Sequence, residues 1–260
     1  MTGWKNSTTA SDLKVRIPST EAPANKPKQR GNPFRNPLHT QKQKNKPMKK
    51  LILTTLLLCL TGTADAQTTG TAIAIIYDTS GSMIEPTLTA DNKAEPKFRV
   101  ANGALKHIID KIDAFAKTYP VEATLITFQG TPAPLGKWNR TPFDKWVDNF
   151  KSPDGNTPLG EAIKTASATL RKSQMAKKHL VILTDGKANG YYHPETILHE
   201  NKERDGKNAP QAYLIAFDTN AAQFSPIKQE GAIILSATGK TLDTGLSTLF
   251  NEKILLENEE

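Results

Sequence analysis

Three short stretches of this sequence carry residue types that could hold a hard metal ion. The first is Asp78-Thr79-Ser80-Gly81-Ser82. The second is Gly155-Asn156-Thr157-Pro158-Leu159, and the third is Asp185-Gly186. Together they offer two carboxylates, from Asp78 and Asp185, and three hydroxyls, from Ser80, Ser82 and Thr157. Every candidate ligand atom is a hard oxygen, and neither a thiolate nor an imidazole is needed. Such a set suits Mg2+, Mn2+ or Ca2+ over Zn2+ or Cu2+. Taken singly, each stretch has a plainer reading. Asp78 can cap a turn, Thr157 can cap a helix that begins at Pro158, and Asp-Gly after a strand is a common turn.

The elements that must position these residues are legible in the hydrophobic pattern. Thr71–Tyr77 is a continuous apolar, β-branched run, the mark of a strand buried on both faces. It ends at Asp78. Leu180–Thr184 is a second such run, and it ends at Asp185. Strands are also expected at Val121–Phe128, Ala212–Phe217 and Ala232–Leu235. Helical spacing of apolar residues marks Lys97–Lys117, Pro158–Lys172 and Thr241–Leu256, and a short helix is expected over Phe143–Phe150. Strands that alternate with helices imply an α/β fold. Its central sheet is doubly wound and mostly parallel, with helices on both faces, as in Rossmann-like domains. Ligands of such sheets bind where loops leave the carboxyl ends of the strands. Asp78 and Asp185 both fall there, and the Thr157 loop lies between them in sequence.

With those positions established, the sequence resembles the von Willebrand factor type A domain family. DTSGS is similar to the D-x-S-x-S motif of the family's metal-ion-dependent adhesion site. GNTPLGEAI looks like the family's threonine loop and the helix after it, and LVILTDG looks like the strand that carries the second aspartate. The resemblance covers about residues 70–255. It implies that Ser80, Ser82 and Thr157 coordinate the metal through side-chain oxygens. Asp78 and Asp185 would act largely through water and hydrogen bonds. Water or a partner's carboxylate would fill the remaining position. The implied function is adhesion-type binding of a protein that presents an exposed Asp or Glu, without catalysis. A subunit of an envelope assembly or chaperone complex is the alternative, and a metal-dependent hydrolase a remoter one.

Enzyme motifs are missing from the places where they would be needed. Ser80 interrupts the Asp-Thr-Gly of an aspartic protease, and it stands where a haloacid-dehalogenase-type phosphatase needs a second aspartate. There is no G-x-S-x-G nucleophile elbow, and no glycine-rich phosphate loop follows the first strand. Two further segments border the proposed site. Ile84–Pro96 is polar and bounded by prolines, and reads either as a floppy surface loop or as a specificity loop beside the ion. Lys187–Pro194 runs on from Asp185. Its Tyr191 and Tyr192 are either packed on the scaffold or part of a partner-binding surface. His193 is not needed as a ligand, because the oxygen set is already complete.

The chain is 260 residues long with a formal net charge of +8. That charge is concentrated near the start. Residues 67–260 carry 22 Lys+Arg and 23 Asp+Glu, which removes the main argument for a nucleic-acid partner. Residues 1–47 are polar and rich in Lys, Asn, Pro, Thr and Gln, a composition that cannot offset its ordering entropy. Residues 48–66 have the three parts of a secretory signal peptide: Lys49 and Lys50, the apolar run Leu51–Leu60, and Ala64-Asp65-Ala66. This predicts Met48 as the start, residues 1–47 as an over-extended reading frame and Gln67 as the mature N-terminus. The exported domain, 67–260, would be periplasmic or secreted without a stable membrane anchor. The single cysteine, Cys59, falls in the segment removed, so the domain would fold without disulfides.

Overall fold

The computed structural model describes residues 68–255. A six-stranded sheet runs through them in the order β5-β4-β1-β6-β7-β8. Its strands are β1 (Thr68–Tyr77), β4 (Val121–Thr127), β5 (Gly130–Lys137), β6 (Met175–Thr184), β7 (Gln211–Phe217) and β8 (Ile233–Ala237). β1 pairs in parallel with both β4 and β6, and the β6-β7-β8 pairings are parallel too. Only β5 runs antiparallel, against β4. The mostly parallel α/β architecture expected from the sequence is therefore the one observed.

The side-chain period of a strand sends alternate residues of β1 to opposite faces. Ile73, Ile75 and Tyr77 join one core cluster, and Ala72, Ala74 and Ile76 join the other. Helices α1 (Lys97–Phe115), α2 (Arg140–Asn149) and α6 (Leu242–Leu249) supply apolar side chains to the first cluster. Helices α3 (Leu159–Leu170), α4 (Pro194–Asp205) and α5 (Ser225–Gln229) supply the second. On α1 the inward residues include Phe98, Ala101, Leu105, Ile108 and Ile112, the three- and four-residue spacing of one helix face. Burying each large side chain of this kind contributes roughly 1.5–3 kcal/mol. The two layers thus hold the sheet rigidly from both sides, and the loops at its carboxyl edge start from fixed points.

Several elements differ from the sequence reading. β5 was not expected. Its Pro132 and Pro134 would break an interior strand, but an edge strand tolerates them, and only Ala133 in it is buried. α4 was not expected either, because it buries only Pro194, Ile197, Leu198 and Asn201 and shows no apolar stripe. The helix expected to run from Thr241 to Leu256 ends at Leu249, and a π-helical turn covers Phe250–Leu255. Most relevant to the site, Ile84–Pro96 is not a floppy loop. It contains a hairpin of β2 (Pro86–Leu88) and β3 (Ala94–Pro96). Its turn closes through Asn92 N to Thr89 O at 2.9 Å, with Asn92 at φ +62, a conformation asparagine tolerates. Its base is tied by Lys97 N to Glu85 O at 2.9 Å, and Gly239 N donates to Thr87 Oγ1 at 3.1 Å.

The signal-peptide reading falls on residues 48–66, and the reading frame question on 1–47; both lie outside the described residues. Among the described residues no helix is long and apolar enough to cross a membrane.

Candidate metal centre

The sheet order reverses at β1, which has β4 on one side and β6 on the other. Loops leaving β1 and β6 therefore part to either side of a crevice at their carboxyl ends. The register sets Tyr77 beside Leu183, so the next residues, Asp78 and Thr184, are neighbours across the two strands. Asp78 N donates to Leu183 O at 3.0 Å, and this continues the sheet for one more bond.

All five residues singled out in the sequence meet in this crevice. Asp78 Oδ1 accepts from Ser80 N at 2.8 Å and from Ser80 Oγ at 2.5 Å. Asp78 Oδ2 accepts from Thr184 Oγ1 at 2.6 Å. Ser82 Oγ donates to Asp185 Oδ1 at 2.7 Å. The Ser80 and Ser82 hydroxyl oxygens lie 3.1 Å apart. Thr157 is brought in by its backbone: Thr157 N donates to Asn189 Oδ1 at 2.7 Å, and Asn189 N donates to Thr157 O at 3.1 Å. The loop before it is stapled to the first motif by Gly81 N to Gly155 O at 3.1 Å and by Asp154 N to Thr79 O at 2.9 Å. Gly155 has φ +78, the left-handed region that glycine enters freely. A Cβ added to Gly186 would lie 3.6 Å from Thr157 Oγ1 and 3.8 Å from Ser82 Oγ, so both hydroxyls face the same small space.

The donor set fits a hard divalent cation, and the hydrogen bonding says why. A hydroxyl has one proton to give. Ser80 directs its proton to Asp78, and Ser82 directs its proton to Asp185. The two serine oxygens then face each other at 3.1 Å with lone pairs and no hydrogen between them. A cation is the natural partner for such an arrangement. Among the described residues no group of three or more His, Cys, Asp or Glu side chains could hold a metal together. A metal here would rest on the hydroxyls.

Electrostatics at the site are set by burial. Asp78 is fully buried, and this pushes its carboxyl above the usual value. Hydrogen bonds from Ser80 and Thr184 pull it back down, while the neighbouring charge of Asp185 pushes it up again. Sequence reasoning missed one participant of opposite sign. Lys97 Nζ donates to Asp185 Oδ2 at 2.9 Å and to Glu85 Oε2 at 2.9 Å, and the lysine side chain is only 7% exposed. No sequence signal marked it, because a lysine at the start of a helix ordinarily reads as solvated. Thr184 and Asn189 were missed for a similar reason: each acts through a contact between segments far apart in the chain.

The two tyrosines beside the site differ in exposure. Tyr191 is 87% exposed. Tyr192 is half-buried against the second core cluster, with the Lys164 ammonium 3.8 Å from its ring centroid. Their backbone is clamped to α3, since Tyr191 N donates to Glu161 Oε1 at 2.6 Å. Gly160 permits that approach: a Cβ there would lie 2.0 Å from Tyr192 O. His193 is exposed and pairs with Glu195 at 3.9 Å.

A family model described as von Willebrand factor type A domain matches residues 72–230, which includes every residue of the crevice. The chain belongs to that family. Solved structures share its fold at low identity. The von Willebrand domain of the type V pili tip protein Mfa5 from Porphyromonas gingivalis is 11% identical with a TM-score of 0.56, over 71% of this chain and 95% of that one. Proximal thread matrix protein 1 from the mussel byssus is 18% identical with a TM-score of 0.51, over 70% of this chain. This chain spans only about half of that protein, 47% of its length. The pilus adhesin SpaC from Lactobacillus rhamnosus GG, in an open conformation, is 15% identical with a TM-score of 0.52, over 71% of this chain and 30% of that one. At these identities the likeness concerns the fold. No curated protein sequence matches the chain.

Proposed function

We propose that this von Willebrand factor type A domain is an exported adhesion-type module that holds a protein partner through a divalent cation. The observation that carries the reading is the convergence of Ser80, Ser82 and Thr157, with both serine protons already committed to aspartates. Those three hydroxyls would hold Mg2+, or Mn2+ or Ca2+, while Asp78 and Asp185 orient the serines from behind. Because the hydroxyl ligands are neutral, the ion keeps most of its charge and attracts an exogenous Asp or Glu carboxylate. The chain's own part is to bind and orient. The serine hydroxyls are read as ligands oriented by the two aspartates, so the module is proposed to be a binder and not an enzyme. Mfa5 and SpaC are described as a pilus tip protein and a pilus adhesin, which supports an adhesion-type role and an envelope or extracellular location. Tyr191 adds an exposed aromatic face next to the crevice that could cover the apolar part of a partner.

Titration calorimetry with Mg2+ and Mn2+ tests the site. One ion should bind reversibly to the parent protein, and Thr157→Ala and Ser80→Ala should both weaken binding by about tenfold or more with the fold intact. Unchanged affinity in both variants removes these hydroxyls as ligands. A pull-down from an envelope fraction, with Mg2+ against chelator, tests the partner. Binding that survives chelation makes the site structural and ends the adhesion reading.

A further inference from the structure

Lys97 stands where local physics disfavours a cation. It is the first residue of the 19-residue helix α1, at the positive end of the helix dipole. It is also buried, and a buried ammonium must be paired to be tolerated. The compensation is Asp185, whose side chain is fully buried and whose Oδ2 lies 2.9 Å from the ammonium. Asp185 therefore divides its two oxygens: Oδ1 serves Ser82 and Oδ2 serves Lys97. Glu85, at the base of the β2–β3 hairpin, takes the ammonium's other side at 2.9 Å. A fixed positive charge thus sits in the same buried crevice as the three hydroxyls.

Resting on the metal reading above, we infer that Lys97 is a tethered cation that competes with the divalent ion for the charge of Asp185. It keeps the crevice assembled when no metal is bound, and it weakens metal binding so that the ion exchanges readily. Two consequences follow from charge alone. Without the lysine charge, Asp78 and Asp185 face each other with no counter-ion, so the metal-free protein loses stability. The same loss removes a repulsion toward the incoming ion, so metal binds more tightly.

The test is Mn2+ titration calorimetry, with thermal melts in Mn2+ and in chelator, on the parent protein, Lys97→Met, Lys97→Arg and Thr157→Ala. Lys97→Met should bind Mn2+ about tenfold or more tightly than the parent at equal ionic strength. Lys97→Arg keeps the charge and should stay near the parent. In chelator Lys97→Met should melt below the parent, and Mn2+ should close the gap. Lys97→Gln, which removes the charge but can still donate to Asp185, gives the same expected tightening if the methionine variant does not fold. Unchanged or weaker Mn2+ binding by a folded neutral variant, with Thr157→Ala still deficient, overturns the role of Lys97 and leaves the metal centre standing. Absence of Mn2+ binding in parent and variants alike removes the metal centre and this inference together.

Discussion

Strand β6 buries polar groups at two places, and they are treated in opposite ways. At its carboxyl end, Thr184 and Asp185 enter a network in which each oxygen of both buried carboxylates accepts at least one hydrogen bond. Within its body, His179 is buried with neither ring nitrogen hydrogen-bonded among the described residues, and its ring stacks on Tyr213 at 6.0 Å. Burial, and to a smaller extent the charge of Lys177, push its pKa down to about 4. The contrast teaches what a partner does for a buried polar group. In the crevice, hydrogen bonds and a lysine keep charge in place, ready for use. At His179 nothing supports a charge, so the ring is held neutral and acts as a piece of the core.

The largest effect that would sharpen this contrast is acid sensitivity at His179. Its folded value of about 4 lies below its ordinary value of 6.5. Between those values the unfolded chain carries a proton that the folded chain lacks. The contribution is fully present above pH 6.5 and is lost as pH falls toward 4, by roughly 3 kcal/mol in all. Urea unfolding at neutral and acid pH should show His179→Leu losing that much less stability than the parent. An equal loss in both proteins would mean that His179 is not a proton-linked site.

A middle-sized effect is expected at the carboxyl end. Thr184→Val removes the hydroxyl that donates to Asp78 Oδ2 while keeping the side-chain shape. A buried carboxylate oxygen left without its donor should cost about 1–3 kcal/mol. Denaturant midpoints on the metal-free protein measure it. If Thr184→Val is as stable as the parent, the crevice is no better satisfied than the histidine, and the comparison collapses.

The smallest stability effect belongs to Tyr191, which lies outside both networks. Tyr191→Ala should change stability by no more than about 0.5 kcal/mol. It should leave metal affinity unchanged while weakening capture of a partner in the Mg2+ pull-down. A loss of metal affinity would show that the exposed ring supports the crevice after all.

How much of this was readable from the residues depended on the range of the interaction. The buried runs that became β1, β6 and β7, and the apolar face of α1, follow from side-chain periods of two and 3.6 residues, and those periods are present in any short window of sequence. The five oxygen-bearing residues were legible because each sits within one residue, or one short motif, of a strand end or a helix start. β5 and α4 were hidden because an edge strand can contain prolines and a half-exposed helix needs few apolar residues. The hairpin within Ile84–Pro96 was hidden because its stability comes from Glu85, Lys97 and Gly239 as much as from its own turn.

The sequence by itself therefore determined the α/β alternation, the strand ends that carry Asp78 and Asp185, and the all-oxygen character of the candidate ligand set. Only the tertiary structure decided which buried polar groups have partners. Lys97 reaches Asp185 across 88 positions of chain, and Thr184 reaches Asp78 across 106. Among the described residues the His179 ring reaches no hydrogen-bond partner. Local pattern sets which face a residue presents, but the satisfaction of a buried charge depends on what the packing of distant segments brings within about 3 Å of it.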